Sequence, residues 1–452
     1  MMSRYLGLNI LIGFLCTVGY LSLLLAGHGY LVAFLAIFLC GNFFIFSHCL
    51  NRHDFSKSLL DIGFILLSFF LLYTITPILL YLTGAYGLTN LGWLELNDTK
   101  VAHLTCLHIG YAISIQVVYL VFHPKGEMPK SLHIQGNPNI VLIFCGVLYL
   151  SLVFIMIYLS GPIETYYDFY TRFDHYSGLE RKFISLLVRI YNGLIPFLLL
   201  FTIYKLKSKS LTMLATVLVL CGLDIYFSHG SRIQALFVII QAMVIYSVIV
   251  RPIPLRNILL SLGTIVVAFT AIEIFRIASG DLSEALDTGM AVSGEFNALF
   301  YPSLHLFDLR HTGGLPEIPW ALYFKDVIEL FPLVGIAGSD PMHWYWQNFH
   351  PDAQVAPYTL GPISDSAMFG GELSVLVRGV LMGSVLVIIR RAFFKVKSWI
   401  GLSMYAYLCS IVVLALKYGF LTPFSLVLKN WFVGFVVVLL MVGLTSRRLA
   451  VK

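Results

Sequence analysis

SGDLSEALDTGMAVSGEFNALFYPSLHLFDLRHTGGLPEIPWALYFKDVIELFPLVGIAGSDPMHWYWQNFHPDAQVAPYTLGPISDSAMFGGE, residues 279–372, is the stretch on which the reading of this chain turns. It is the one long water-compatible segment in a chain that is otherwise mostly lipid-soluble. It holds twelve of the 23 acidic residues, three of the six tryptophans (Trp320, Trp344, Trp346) and four histidines (His305, His311, His343, His350). A membrane protein that keeps one loop of this size and chemistry does its recognition or catalysis there.

Outward from that stretch the chain is apolar. The whole sequence is 59% hydrophobic and 12% charged, with a mean hydropathy of +0.87. A soluble domain carries about 25% charge, so the composition excludes that class and points to a polytopic membrane protein. The net charge of +6 does not imply nucleic acid, because the basic residues sit in small groups between apolar runs. That is how they orient membrane helices.

Crossing a bilayer takes roughly 20 apolar residues. Twelve runs, of 15 to 24 residues, come near that length: Tyr5–Leu25, Tyr30–Phe46, Leu59–Leu82, Ala102–Phe122, Ile140–Leu159, Leu186–Tyr204, Leu211–Phe227, Ile233–Val250, Ile258–Ala278, Leu373–Ile389, Ile400–Leu416 and Asn430–Leu444. The first is long for a signal sequence and reads as a retained helix. Connections rich in Lys and Arg then alternate with poorer ones. One side takes 17 of the 29 basic residues, among them Arg390 and Arg391. By the positive-inside rule that side is the cytoplasm, both termini lie within it, and residues 279–372 lie outside. The expected organisation is nine spans in residues 1–278, the outer loop in 279–372, and three spans in 373–452. Within the loop, Ser283–Gly289, Gly294–Leu309 and Trp320–Leu330 read as short helices. Pro332, Pro341, Pro351, Pro357 and Pro362 break the remainder into irregular segments, and Pro423 marks a re-entrant turn.

The seven cysteines lie in or beside apolar runs, without a CxxC pair, and read as packing residues. No zinc, phosphate-loop or nucleophile-elbow signature occurs, which speaks against a catalytic metal or a cofactor.

The sharpest candidate is Arg232. Ser228-His229-Gly230-Ser231-Arg232 makes a nearly loopless outward turn, and a guanidinium beside a helix N-terminus suits an anion, phosphate above all. The plainer alternative is an arginine reaching for lipid headgroups. Arg276, Arg181, Arg172 and Arg378 are weaker cases of the same kind; together they suit a diphosphate, while singly each suits a headgroup or an acid. Glu295 precedes the apolar Leu299, Phe300 and Leu304 and suits a general base, with a solvated loop acid as the plainer reading. His305, His343 and His229 are bases, sugar donors or local hydrogen-bonding residues. Trp344, Tyr345 and Tyr301 offer rings for sugar stacking, although aromatics also gather at interfaces for lipid reasons. Asp61, Asp224 and Glu273 lie in or near spans, where carboxylates carry protons in transporters.

Many spans, a late outer loop, Gly230-Ser231-Arg232 opening a helix, Arg276 ending the next outward span, Glu295-Phe296, Phe331-Pro332 and Gly361–Gly371 resemble the Wzy-type O-antigen polymerases. The pattern is also similar to enterobacterial common antigen polymerases and, more distantly, to O-antigen ligases. The resemblance spans roughly residues 228–383; before that, hydropathy and topology alone match. It implies a GT-C-like, metal-independent, inverting glycosyltransferase of the bacterial inner membrane with a periplasmic site. It implies undecaprenyl-diphosphate-linked oligosaccharides as donor and acceptor, and a chain-length regulator as a protein partner. In that chemistry Arg232, Arg276, Arg181, Arg172 and Arg378 would hold the diphosphate, Glu295 or His305 would serve the attacking hydroxyl, and His343, Trp344, Tyr345 and Tyr301 would bind sugar. A ligase handing the glycan to lipid A core, and a transporter or flippase, are the alternatives.

Overall fold

The computed structural model describes residues 30–51, 61–83, 96–122, 138–160, 176–206, 210–227, 232–251, 253, 290–330, 341–349, 360–395 and 398–450. Among the described residues the fold is entirely helical. In chain order the first helices are α1 (Tyr30–Asn51), α2 (Ile62–Leu82), α3 (Asp98–Val121), α4 (Pro138–Ser160), α5 (Gly178–Leu206), α6 (Ser210–Phe227) and α7 (Arg232–Ile249). The stretch that opened the sequence reading supplies α8 (Met290–Thr312), α9 (Trp320–Tyr323), α10 (Lys325–Leu330), α11 (Pro341–Phe349) and α12 (Pro362–Phe369). The chain continues with α13 (Gly371–Lys395), α14 (Trp399–Ile411) running into a 3-10 turn (Val412–Leu416), α15 (Thr422–Leu426) with a π-turn (Val427–Trp431), and α16 (Phe432–Ala450).

Hydrocarbon offers no partner for backbone N–H and C=O groups, so an apolar run of spanning length closes its bonds internally as a helix. Eight helices among the described residues are long and apolar enough to cross a membrane: those of Tyr30–Leu50, Ile62–Leu82, Asp98–Val121, Pro138–Ser160, Gly178–Leu206, Gly371–Phe393, Trp399–Leu416 and Thr422–Gly443. The apolar stretches of α6 and α7, Thr212–Leu223 and Gln234–Ile249, are shorter. The chain is thus an all-helical, polytopic membrane protein. The expected runs Tyr5–Leu25 and Ile258–Ala278, and the loop helix Ser283–Gly289, lie outside the described residues.

Two compact units form. The first comprises α1–α3, α8–α12, α13 to Arg391, and Val412–Thr422. Here α1 packs on α2 and α3, and α8 packs on α2, α3 and α12. Small residues let α13 approach α3 closely: a Cβ on Gly379 would stand 2.8 Å from the Tyr111 carbonyl, and one on Gly383 2.9 Å from that of Ile115. This is the small-xxx-small contact of membrane helices, which gain from close backbone packing because lipid supplies no hydrophobic drive between them.

The second unit comprises α4–α7, Ala392–Ile411 and the chain from Pro423. Helix α5 packs on α4, α7 and α16, and α7 on α6 and α14. Gly193 of α5 and Gly434 of α16 meet backbone to backbone. Phe197 packs its ring against Trp399 and Trp431, and Tyr149 donates to the Tyr191 hydroxyl at 2.8 Å.

Three local expectations change. Gly294–Leu309 is one longer helix, Met290–Thr312, with Leu299–Leu304 and Leu306–Phe307 largely buried, because its apolar face lies against α2 and α3. Pro341 and Pro362 open helices where irregular chain was expected: at the first helical position a missing N–H costs nothing. Pro423 likewise sits at the start of α15, so the last span begins at Thr422 and not at Asn430. Trp320–Leu330 is helical as expected but broken at Phe324.

Candidate functional site

The first unit gathers charged side chains around α12. Residues Pro362–Met368 are all buried. Asp365 is wholly inside: its Oδ1 accepts from Lys325 Nζ at 2.6 Å, and its Oδ2 lies 3.4 Å from Arg378 Nη1. Lys325, itself 2% exposed, also donates to the Tyr418 carbonyl at 3.0 Å. Lys417, next in the chain, lies over the Tyr73 ring at 5.6 Å. Arg310 of α8 donates to the carbonyls of Ala367 and Met368 at 2.9 and 3.2 Å, serving the C-terminal groups that a short helix leaves open. Arg378 also stands 6.0 Å from the Phe369 ring centre.

Local sequence explains how these residues reach one place. Pro362 starts α12 and Gly361 lets it pass close to the Leu416 carbonyl. Gly371 adopts φ +68°, a left-handed conformation that suits glycine, and turns the chain from α12 into α13. Ser303 and Ser364 share a hydrogen bond of 2.7 Å that ties α8 to α12. Two cations, Lys325 and Arg378, share the single carboxylate of Asp365. Buried charges persist when they are paired.

Beside this cluster a cavity of about 20 Å³ opens among Phe70, His108, Tyr111, Leu299, Ser303 and Ile363. It has room for about one water. His108 donates Nδ1–H to Leu104 O at 2.9 Å and lies between the rings of Phe70 and Phe300.

The residues expected to act fall in several places. His305, half-buried on α8, bonds through Nδ1 to the Tyr345 hydroxyl at 2.8 Å and packs against Phe349. Trp344 and Tyr345 are buried; Trp344 Nε1 donates to Glu317 O at 3.2 Å. Their rings therefore build the fold of α11, and neither offers a face for sugar stacking. Tyr301 is buried on α8 as well. His343 is exposed and pairs with Gln347 at 2.7 Å, the one member of the expected sugar set open to solvent. Glu295 lies on α8 and Arg232 opens α7, but their side chains, with Arg172, Arg276 and His229, lie outside the described residues. Arg181 is exposed in the first turn of α5 in the second unit, while Arg378 belongs to the first.

Sequence reading passed over Lys325, Asp365 and Lys417. The signal for Asp365 was present: a carboxylate in a short run of small and apolar residues, Pro362–Phe369. A second cluster corrects the place given to Arg390. Counted among the charges facing the cytoplasm, it is fully buried, with Nε 3.2 Å from Asp61 Oδ2. Asp61 also caps α2 through Gly63 N and Phe64 N and accepts from the Tyr119 hydroxyl at 2.7 Å. Asp61 thereby ties α2 to α3 and α13; the side chains of Asp224 and Glu273 lie outside the described residues. At the exposed side of the first unit, Glu372 pairs with His103 at 2.9 Å and His311 at 3.5 Å, and Lys100 with Asp308 at 2.9 Å. Among the described residues no three His, Cys, Asp or Glu side chains are arranged to hold a metal ion.

No family model, curated protein or solved structure matches this chain.

Proposed function

We propose that the chain is a twelve-span, GT-C-like glycosyltransferase of the bacterial inner membrane that joins undecaprenyl-diphosphate-linked oligosaccharide repeats into a polysaccharide at the periplasmic face. The observation that carries this reading is the pair of cations, Lys325 and Arg378, held at Asp365 beside the start of a membrane span. A lipid diphosphate leaving group needs fixed cations at that depth, where a low dielectric strengthens them.

In the proposed reaction a hydroxyl oxygen of the acceptor sugar attacks the anomeric carbon of the donor chain. The bond from that carbon to the diphosphate oxygen breaks, its electron pair leaves with the lipid diphosphate, and configuration inverts. The hydroxyl proton passes to a base, Glu295 or His305. His305 is supported in that role by Tyr345, which fixes its ring through Nδ1. Arg378 is the diphosphate candidate supported by its surroundings: Asp365 orients the guanidinium while Lys325 holds Asp365 in place. Arg232, Arg276, Arg181 and Arg172 keep the diphosphate role on sequence grounds, and exposed His343 remains the sugar donor.

The test is chain growth. Purified protein is incubated with undecaprenyl-diphosphate repeats and a chelator, and the lipid-linked products are resolved by length. A ladder with the wild type, lost in Arg378→Ala and Arg232→Ala, is the expected outcome. Absence of lengthening with the cognate repeat overturns the reading, and transfer to lipid A core would make the protein a ligase. A ladder that survives both substitutions keeps the function and removes these arginines from the site.

Transport of a lipid-linked glycan is the second reading. It draws on the buried ion pair between Arg390, on a spanning helix, and Asp61, at the start of another, since intramembrane charges often line pathways. It predicts glycan movement across proteoliposomes without new glycosidic bonds.

A further inference from the structure

The segment Trp320–Leu330 was expected in water, yet its side chains are arranged inside out for a helix there. Trp320, Tyr323, Phe324 and Val327 recur at the spacing of one helical face and are 66%, 57%, 56% and 50% exposed. Ala321, Leu322 and the one basic residue, Lys325, point inward. A helix bathed in water does the reverse, turning its aromatics to the core and its lysine out.

Two further observations say what covers this face. Tyr323 packs on Phe369 with ring centres 4.7 Å apart. Phe369 ends α12, and two residues later α13 begins, a membrane span whose Leu373, Leu376, Val377 and Val380 are all exposed. The aromatic face therefore continues the lipid-facing side of a span at the level of its first turns. Its composition also fits that level: Trp and Tyr collect where acyl chains meet headgroups, because their rings are apolar and their N–H or O–H groups reach water. The inward bonds of Lys325 to Asp365 and to the Tyr418 carbonyl fix the segment so that this face has one orientation.

We propose that Trp320–Leu330 is an interfacial membrane anchor, with Trp320, Tyr323, Phe324 and Val327 seated among the phospholipid acyl chains just below the headgroups. The segment lies on the bilayer surface and does not cross it: α9 and α10 are far too short to span. A consequence follows for the ion cluster. Arg378 stands about 10 Å along α13 from Gly371 at 1.5 Å per residue, so Lys325, Asp365 and Arg378 come to rest close beneath the headgroups. That is the depth at which a lipid-linked diphosphate sits. This last step rests on the proposed enzymatic reading; the anchor itself does not.

The test uses the full chain in nanodiscs of phosphatidylethanolamine and phosphatidylglycerol, with and without lipids brominated on the acyl carbons nearest the headgroup. Fluorescence of the wild type is compared with Trp320→Phe, so that the difference isolates Trp320 from the other tryptophans. The expected result is loss of the Trp320 emission in brominated nanodiscs, with little loss on adding aqueous iodide. Quenching by iodide and indifference to bromine would return the segment to water and overturn the proposal. Protection from both quenchers would show that protein covers the face, and would overturn it equally. A nitroxide on Val327→Cys gives an independent reading: relaxation enhanced by oxygen supports the anchor, and enhancement by a water-soluble nickel complex opposes it. Glycan synthesis enters neither measurement, so the anchor and the polymerase reading can fail separately.

Discussion

Lys325 and Asp365 are 2% and 0% exposed and 2.6 Å apart. Removing one partner of such a pair leaves a charge in a medium that cannot solvate it, at a cost of about 3–5 kcal/mol, whereas replacing both with apolar residues is often near neutral. Lys325→Met is therefore expected to lower the unfolding midpoint in detergent sharply, and Lys325→Met with Asp365→Leu to recover part of the loss, because Arg378 then lacks its carboxylate. The double variant separates roles as well. If it is stable yet makes no glycan, the ion cluster serves chemistry; if it is stable and active, the cluster serves the fold. Legibility at this scale was uneven. His305 was marked from sequence and is half-buried on a hydroxyl partner, while Trp344 and Tyr345, marked for sugar, serve the interior. Aromatic residue types do not distinguish a binding face from a packing face, since both uses need large apolar area.

Helices were the most legible level, because length and apolarity are enough to make one in lipid. α2, α4, α6 and α7 begin and end within a few residues of the expected bounds. α5 does not: it starts at Gly178, eight residues before the apolar run, since Glu180, Arg181 and Lys182 can continue a helix without entering hydrocarbon. How helices pack was less visible. The Gly379–Gly383 pair on α13 is legible as a spacing, but its partner α3 was not. A Cβ at Gly379 would press on the Tyr111 carbonyl and on Ser114, so Gly379→Ala is expected to destabilise by about 1–3 kcal/mol. Gly146 on α4 has nothing within 4 Å of the same position. Gly146→Ala should be neutral or stabilise by about 0.5–1 kcal/mol, as alanine does within a helix. Thermal melts of the two variants in one detergent compare them, and equal shifts would contradict the close α3–α13 contact.

At the scale of the whole molecule, membrane embedding follows from the eight spanning helices, and topology is the property to measure next. The proposed twelve spans would place both termini and the connection after α13 on one side, and α8 to α11 on the other. Reporter fusions at the C-terminus and at Lys395, against a fusion at Gly314, are expected to report opposite compartments. Reports from one compartment would remove the alternation on which the orientation rests. The sequence by itself determined that this protein is helical and membrane-embedded, and where most spans lie, because hydropathy over some twenty residues is a local property that one helix can satisfy alone. Only the tertiary structure decided that Lys325 meets Asp365, that Arg390 turns inward to Asp61, and that α8 packs on α2 and α3. Those outcomes depend on residues far apart in the chain. A buried charge takes whichever partner the packed helices bring within about 4 Å, and no local pattern records that choice.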